Sequence, residues 1–314
     1  MNERNLPKLF KEITGETIDL GSQLKIKDSL KQGSLVLLGK NIILKDKNPK
    51  ELAAYELLET HRHNLERGFP KIVFPEMRLV GDTYVVFSRL QGKFPNTVPD
   101  YFGNGSSYTR KDFILILQSI NKIRREIGLV KLDKTLQAAR ELSFISNRNN
   151  SNNFIDTGVV KYYPLIEEIY TKVENTLRDT QLFFSHGDIV RGNFFITGRT
   201  MFLIDWESYC YEYIGYDEGR LYVNYCLASS QQELFQSVFN LKYKRDLNAQ
   251  LVFWRTAITR AYKELGFLST GKYSERIDKH FSSPINRRVF KEQLFLSLKR
   301  TLDKSISMIN KIPF

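Results

Sequence analysis

Two short polar segments, each close to an apolar stretch, constrain this 314-residue chain more than any other feature. The first is Ser-His-Gly-Asp at residues 185–188, followed by Asn193, and the second is Ile-Asp-Trp-Glu at residues 204–207. The apolar run Phe-Leu-Ile that leads into Asp205 predicts a strand. The two segments therefore predict a fold in which polar groups converge from a loop and from the end of a neighbouring strand.

Asp188, Asn193 and Asp205 are the residue types that transfer of a γ-phosphoryl group requires. A carboxylate orients the acceptor hydroxyl and takes its proton. An amide oxygen and a carboxylate oxygen suit Mg²⁺, a hard ion that completes its shell with water and phosphate oxygens. The five-residue step from Asp188 to Asn193 also matches the Asp-x-x-x-x-Asn step of the protein-kinase catalytic loop. We therefore predict Asp188 as the catalytic base and Asn193 and Asp205 as ligands of Mg²⁺.

Residues 184–221 resemble the signature of the aminoglycoside phosphotransferase and choline kinase group of small-molecule kinases, which is His-Gly-Asp, an Asn five residues on, then Ile-Asp-Trp-Glu. The resemblance implies the same roles for Asp188, Asn193 and Asp205. It also implies that Asp217 stabilises the region, and that His186, predicted beside Asp188 in the catalytic loop, braces that loop.

The resemblance further implies an α+β fold of the protein-kinase-like, bilobal type. A small N-lobe with an antiparallel sheet, residues 1–91, would clamp the nucleotide. A larger, mainly helical C-lobe, residues 92–314, would hold the catalytic loop and the acceptor.

The residues upstream fit such a nucleotide-clamping lobe. Apolar segments separated by turn compositions predict three antiparallel strands, at residues 24–30, 35–38 and 42–45. Lys45 ends the third strand, where kinases place the lysine that contacts the α- and β-phosphates, and the next helix should offer it a glutamate. That helix is predicted over residues 49–63. It contains Glu51 and Glu56, of which Glu51 fits the family pattern better.

Residues 84–92 predict a buried strand that runs into a turn. In the family that the chain resembles, this linker binds adenine through backbone groups. The predicted hinge residues are Phe87, Ser88, Arg89 and Leu90. The loop over residues 28–34 holds one glycine, so the sequence predicts no glycine-rich phosphate cradle there.

The chain after Thr97 has the apolar spacing of helices. Helices are predicted at residues 111–127 and 162–177 and over most of residues 228–314. In the last helix, apolar residues recur every four positions, at 290, 294, 298, 302 and 306, which indicates a stripe packed on the core. The Asn-rich run at 147–153 predicts a solvated loop.

The net charge of +12 is concentrated towards the end of the chain. Residues 241–314 contain sixteen Lys or Arg against six Asp or Glu. Such a region can steer an anionic acceptor, a nucleic acid or an anionic membrane surface. A solvated basic face is the favoured interpretation, and binding of nucleic acid or membrane is not favoured.

Composition limits the class of protein further. The sequence has no run of 18 apolar residues and opens without a hydrophobic signal segment, which predicts a soluble, cytoplasmic protein. The two cysteines, Cys210 and Cys226, are too few for a disulfide framework and lack a metal-binding spacing. We expect both to have packing roles only.

We therefore predict a kinase that uses ATP and Mg²⁺ to phosphorylate a hydroxyl of a small molecule such as a sugar, an amino alcohol or an aminoglycoside-like acceptor. The basic residues 241–314 argue weakly against polycationic aminoglycosides. The tyrosines that crowd after Asp205 could meet a choline-type cation, but core packing is the favoured role for most of them. A sugar or an anionic metabolite fits the charge best, by elimination.

Two alternatives from other classes stay open. One is a pseudokinase that serves as a binding scaffold, although each catalytic position named above holds a competent residue. The other is a basic binder of nucleic acid or membrane surfaces on a kinase-like frame, whose affinity for polyanions would fall steeply with salt. Phosphorylation of proteins is disfavoured, because no Ala-Pro-Glu element follows Asp205.

Overall fold

A computed structural model of the chain describes residues 6–17, 36–92, 98–105, 107–128 and 159–313. These residues form two compact units. The first unit contains the described residues before position 93 and the segment 195–209, and the second contains those of 98–194 and 210–313. Three predicted features lie outside the described residues: the strand at 24–30, the loop at 28–34 and the Asn-rich loop at 147–153.

The first unit is built on small sheets. Its elements are α1 (Leu6–Thr14), β1 (Val36–Leu38), β2 (Ile42–Asp46), α2 (Pro49–Thr60), α3 (Arg62–Glu66), β3 (Lys71–Val73), β4 (Met77–Val80), β5 (Tyr84–Ser88), β7 (Phe194–Thr197) and β8 (Thr200–Leu203). Strands β1, β2, β5 and β4 form an antiparallel sheet in that order. Strands β3, β8 and β7 form a second sheet, in which β3 and β8 run parallel. The antiparallel sheet predicted for this part of the chain is thus present.

A helix that the sequence analysis did not predict contributes to the core of the first unit. Phe10 of α1 is fully buried and packs with Leu37, Ile42, Leu44 and Val86. These four residues come from three neighbouring strands of the sheet, so α1 lies across its apolar face. The burial of a large aromatic side chain removes on the order of 150–250 Å² of apolar surface from water.

The helix predicted over residues 49–63 is shorter in the structure. Asn48 caps its start by accepting hydrogen bonds from the amides of Lys50 and Glu51. It ends at Thr60 because His61 has the non-helical angles φ −109° and ψ 2°, and the short helix α3 follows at once. The prediction of one helix to residue 63 was therefore wrong at its end.

The second unit is mainly helical. Its elements are α4 (Val98–Tyr101), α5 (Arg110–Ile127), α6 (Tyr163–Thr176), β6 (Phe183–Ser185), β9 (Cys210–Glu212), α7 (Tyr216–Val223), α8 (Ser229–Lys242), α9 (Leu247–Ser269), α10 (Ser274–His280) and α11 (Pro284–Ile309). Helix α9 is buried around most of its circumference, and α6, α7 and α11 pack against it. A helix that is buried on most of its sides belongs at the centre of a unit.

Helices α5 and α6 match the predicted segments 111–127 and 162–177 within one residue at each end. Helices α8, α9, α10 and α11 together cover most of residues 228–314, as predicted. In α11 the predicted stripe is buried at Phe290, Leu294, Leu298 and Leu302, whereas Ile306 is half-buried. Within the described ranges, no helix is both long enough and apolar enough to cross a membrane. The two cysteines are free thiols, with Cys226 buried.

Candidate active site

In the first unit, Lys45, Glu51 and Asp205 form a charged cluster. The Nζ atom of Lys45 lies 2.8 Å from the Oε1 and Oε2 atoms of Glu51 and 3.5 Å from the Oδ1 atom of Asp205. Lys45 comes from β2, Glu51 from the first turn of α2, and Asp205 from the residues after β8. Glu51, not the exposed Glu56, is therefore the glutamate that meets Lys45.

The electrostatics of this cluster keep the ammonium charged. Burial by itself would lower the pKa of Lys45, but the negative charges of Asp205 and Glu51 outweigh it and raise the pKa above the ordinary value. The pKa of Glu51 is also raised, chiefly by burial, even though Lys45 acts in the opposite direction. The Nζ atom of Lys45 contacts both carboxylate oxygens of Glu51, and this double contact favours the ionised form of both groups.

Asp205 has an unusual backbone conformation. Its φ of 67° and ψ of 62° place it in the left-handed region, and no other non-glycine residue in the described ranges has a positive φ. Aspartate tolerates this region better than most residues, but the conformation still has a cost. Strained backbone of this kind is concentrated at functional sites, where surrounding contacts hold it.

The predicted hinge contributes fewer free amides than the sequence suggested. Phe87 is buried in β5, and the amide of Ser88 donates to the carbonyl of Glu76 at 2.8 Å. The amide of Arg89 donates to the carbonyl of Asn41 at 2.7 Å. In the described part of the chain, no acceptor is found for the amide of Leu90. Of the four predicted residues, Leu90 is therefore the one whose amide best fits a contact with a base.

In the second unit, the predicted catalytic loop leaves the end of β6. Strand β6 pairs antiparallel with β9, and the loop turns at Gly187, whose φ is 77°. Asp217 accepts hydrogen bonds from the amides of His186 and Gly187, each at 3.1 Å. Asp217 is 2% exposed and lies in the first turn of α7, so these buried hydrogen bonds attach the loop to that helix. This placement agrees with the stabilising role that the resemblance implied for Asp217.

His186 and Asn193 brace the same loop from within. The Nδ1 atom of His186 accepts a hydrogen bond from the amide of Asp188 at 3.3 Å, and the imidazole is buried. The Nδ2 atom of Asn193 donates to the carbonyl of Asp188 at 2.9 Å. This bond uses the amide nitrogen of Asn193 and leaves its oxygen as the atom of that side chain suited to a cation.

The carboxylate of Asp188 lies against two arginines that the sequence analysis did not identify. Its Oδ1 atom is 2.6 Å from Nη2 of Arg220 and 3.6 Å from Nη1 of Arg260. The side chain of Asp188 is 29% exposed, so a small molecule can reach it. Burial would raise the pKa of Asp188, but Arg220 and Arg260 reverse this and hold it well below the usual carboxyl range. Asp188 is therefore ionised at neutral pH.

Helical spacing was the signal in the sequence that could have revealed these arginines. Asp217, Arg220 and Asn224 are buried and lie on one face of α7 and the turn after it, at positions i, i+3 and i+7. Arg260 and Glu264 are four residues apart on the largely buried helix α9 and pair at 2.7 Å. Charged residues that repeat on a buried helical face indicate a polar site.

The donor set predicted for Mg²⁺ fits that ion chemically. Asn193 supplies an amide oxygen and Asp205 a carboxylate, which are hard ligands. Within the described residues, no group of three or more His, Cys, Asp or Glu side chains could hold a metal by itself. Mg²⁺ usually completes its shell with water and phosphate oxygens.

One segment of the chain matches a known protein family. Residues 133–248 match the model of the phosphotransferase enzyme family, APH. This segment contains Asp188, Asn193 and Asp205. The predicted resemblance to the aminoglycoside phosphotransferases and choline kinases is confirmed. The predicted enzyme class, a small-molecule kinase, is confirmed with it. No curated protein matches the chain in sequence.

Solved structures share the fold of this chain. The gentamicin complex of APH(2″)-IIa has 14% sequence identity and a TM-score of 0.54, with 98% of each chain covered. A choline/ethanolamine kinase family protein from Mesorhizobium loti has 15% identity and a TM-score of 0.55, with 88% of this chain and 89% of that chain covered. Amicoumacin kinase hAmiN has 12% identity and a TM-score of 0.56, with 97% and 94% covered. At these identities the similarity establishes the protein-kinase-like fold, and the predicted fold class is confirmed.

Proposed function

We propose that this phosphotransferase transfers the γ-phosphoryl group of ATP to a hydroxyl of a small molecule, with Mg²⁺ as the metal. The observation that carries the proposal is the catalytic loop, in which an accessible, ionised Asp188 follows a turn fixed by Asp217. The loop lies within the segment that matches the phosphotransferase family. The lobe boundary after residue 91 remains part of the proposal.

The residues of the chain have distinct roles in this reaction. Asp188 accepts a hydrogen bond from the acceptor hydroxyl, orients its oxygen towards phosphorus and takes the proton. A carboxylate with a low pKa is a weak base, but transfer passes through a loose transition state in which the proton can leave late. His186 holds the amide of Asp188 and acts as a positioning residue.

The nucleotide would be bound by residues of the first unit. Lys45, kept charged by Glu51, would contact the α- and β-phosphates, and Leu90 would meet the base with its amide. Asn193 and Asp205 would be the ligands of Mg²⁺, and the ion would supply positive charge to offset the charge of the phosphate oxygens. Phe87, Ser88 and Arg89 would shape the hinge, with the amides of Ser88 and Arg89 used inside the unit.

The test is ADP release from Mg-ATP by the purified protein with pooled sugars, amino alcohols, aminoglycosides and anionic metabolites. Asp188→Asn should lower the acceptor-dependent turnover by about 10²–10⁴-fold, the usual contribution of a general base. Asp179→Asn removes the same charge from an exposed position of the second unit and should leave turnover unchanged. Turnover that Asp188→Asn does not reduce would contradict the role of Asp188.

A further inference from the structure

We propose that the acceptor is an alcohol with an anionic group, a carboxylate or a phosphate, and that Arg220 and Arg260 recognise that group. The inference rests on the proposed function and narrows its substrate class. In the reaction, the acceptor oxygen bonds to the γ-phosphorus as the bond to the β–γ bridging oxygen breaks with its electron pair. The hydroxyl proton passes to Asp188.

The first observation is the position of the two guanidinium groups. Both reach the carboxylate of Asp188, Arg220 at 2.6 Å from α7 and Arg260 at 3.6 Å from α9. The longer distance is outside hydrogen-bond range. The Nη1 atom of Arg260 can therefore meet an incoming anion without giving up a hydrogen bond to Asp188. An acceptor whose hydroxyl lies on Asp188 would present its next substituents to these two groups.

The second observation is that both guanidinium groups are held in place. Nη1 of Arg220 donates to the hydroxyl of Tyr216 at 3.1 Å. Nη2 of Arg260 donates to the hydroxyl of Tyr101, and its Nε lies 2.7 Å from Glu264. The side chains of the two arginines are 10% and 6% exposed. Side chains fixed in this way lose little entropy when they bind a ligand.

A second layer of contacts supports Arg260. Glu264 is fully buried and also accepts a hydrogen bond from the hydroxyl of Tyr273. The ring of Tyr273 packs edge-on against Phe102, with centroids 5.8 Å apart, and Phe102 packs against Tyr101 at 4.9 Å. Tyr101, which contacts Arg260, and Tyr273, which contacts Glu264, therefore belong to one packed aromatic group. This arrangement is a built polar site in the second unit.

The hydrogen-bond donors of the site favour an anion, although the carboxylates of Asp188 and Glu264 offset the charges of the two arginines. Planar guanidinium groups bind carboxylates and phosphates through paired hydrogen bonds. An ammonium group would compete with Arg220, which already donates to the carboxylate of Asp188 at 2.6 Å, and it would offer the guanidinium groups no acceptor. Amino alcohols and aminoglycosides would carry such a group, whereas hydroxy acids and phosphorylated alcohols would carry the charge that the arginines prefer.

The test compares acceptors that differ in charge but share a hydroxyl. Pools of hydroxy acids and of sugar phosphates are compared with pools of neutral sugars and of amino alcohols, with glycerate, glycerol 3-phosphate, glycerol and ethanolamine as single probes. We expect kcat/KM for an anionic acceptor to exceed that of its neutral counterpart at least tenfold. A neutral or cationic acceptor that is preferred would overturn the inference.

Variants connect the preference to the arginines. Arg220→Gln and Arg260→Gln should each lower kcat/KM for the anionic acceptor at least tenfold, mainly through KM, and reduce the preference over the neutral one. Arg260→Lys keeps the charge beside buried Glu264 and covers the case in which Arg260→Gln fails to fold. The control Arg288→Gln removes an exposed charge from α11 and should change nothing. A preference unchanged in all three site variants would contradict the inference.

Calorimetric binding of the same anionic and neutral probes separates this inference from the proposed function. Anion binding that depends on Arg220 and Arg260, without phosphorylation of any pool, would support the anion site and contradict the kinase. Phosphorylation of a cationic acceptor would support the kinase and contradict the anion site. If no anionic probe binds or reacts, the inference is overturned.

Discussion

At the scale of single residues, the ionisation of Asp188 is set by its neighbours. The side chains that act on its pKa are Arg220, Arg260 and His186, and together they lower it well below the usual range despite burial. A carboxyl group whose pKa is lowered in the folded state stabilises the protein above its unfolded pKa. That stabilisation is lost as the pH falls through the folded pKa.

The pH dependence of turnover should therefore change in Arg220→Gln. Loss of the 2.6 Å contact raises the pKa of Asp188, because burial is then opposed mainly by Arg260. We expect the acid limb of the kcat profile that belongs to Asp188 to move up by at least ~1 pH unit. The ordinary pKa of an aspartate side chain is about 3.9, and in the wild type the acid limb should lie below that pH. Arg288→Gln is the control. An acid limb at the same pH in Arg220→Gln and in Arg288→Gln would contradict the assigned effect of Arg220 on Asp188.

At the scale of elements, close packing of α7 on α9 places the residues around Asp188. Gly219 of α7 has no side chain, and a Cβ there would lie 2.5 Å from the carbonyl oxygen of Phe253 in α9. The two backbones can approach this closely only without that atom. Arg220 follows Gly219 directly, so this approach also sets where Arg220 meets Asp188.

Gly219→Ala separates packing from helix propensity. Propensity alone would stabilise the helix by about 0.5–1 kcal/mol. The clash with Phe253 should instead destabilise the protein by roughly 1–3 kcal/mol, as overpacking does. Denaturant unfolding of Gly219→Ala and of the wild type measures the difference. A Gly219→Ala protein as stable as the wild type would refute the close approach.

The sequence predicted elements with long periodic patterns well and those set by distant contacts poorly. The span of α5 and the burial of four residues of the α11 stripe could be predicted, because the regular spacing of apolar residues lies within a single helix in each case. The motif residues Asp188 and Asn193 are close in sequence, so their loop was recognisable. Arg220 and Arg260 were missed because their contact with Asp188 joins residues that are far apart in sequence. Helix α1 was missed because it is short and its burial depends on strands that follow later.

At the scale of the whole molecule, the positive charge is not all available to a partner. Among the basic residues between positions 241 and 314, Arg255 and Arg260 are buried and paired with acids within the second unit. Others pair on the helix surface, as Lys279 does with Glu275 and Arg288 with Glu292. Pairing of this kind lowers the charge that a nucleic acid or membrane would meet.

Nucleotide binding should stabilise the whole molecule. A ligand that binds only the folded state at 100 times its Kd contributes about 2.7 kcal/mol. We expect Mg-ATP to raise the Tm of the wild type and of Asp188→Asn, since Asp188 is assigned to the acceptor. Lys45→Met should lose most of this rise, because it removes the predicted phosphate contact. An equal rise in Lys45→Met would contradict the role of Lys45, and Lys47→Met, an exposed neighbour, is the control.

The most direct measurement follows the phosphoryl group itself. The protein is incubated with Mg-ATP labelled at the γ-phosphate and with the acceptor pools, and the label is traced by mass spectrometry. We expect label on an acceptor hydroxyl, in amounts equal to the ADP formed, and almost no such label with Asp188→Asn. Label found only in inorganic phosphate, or none released while ATP still binds, would contradict the assignment of this protein as a small-molecule kinase.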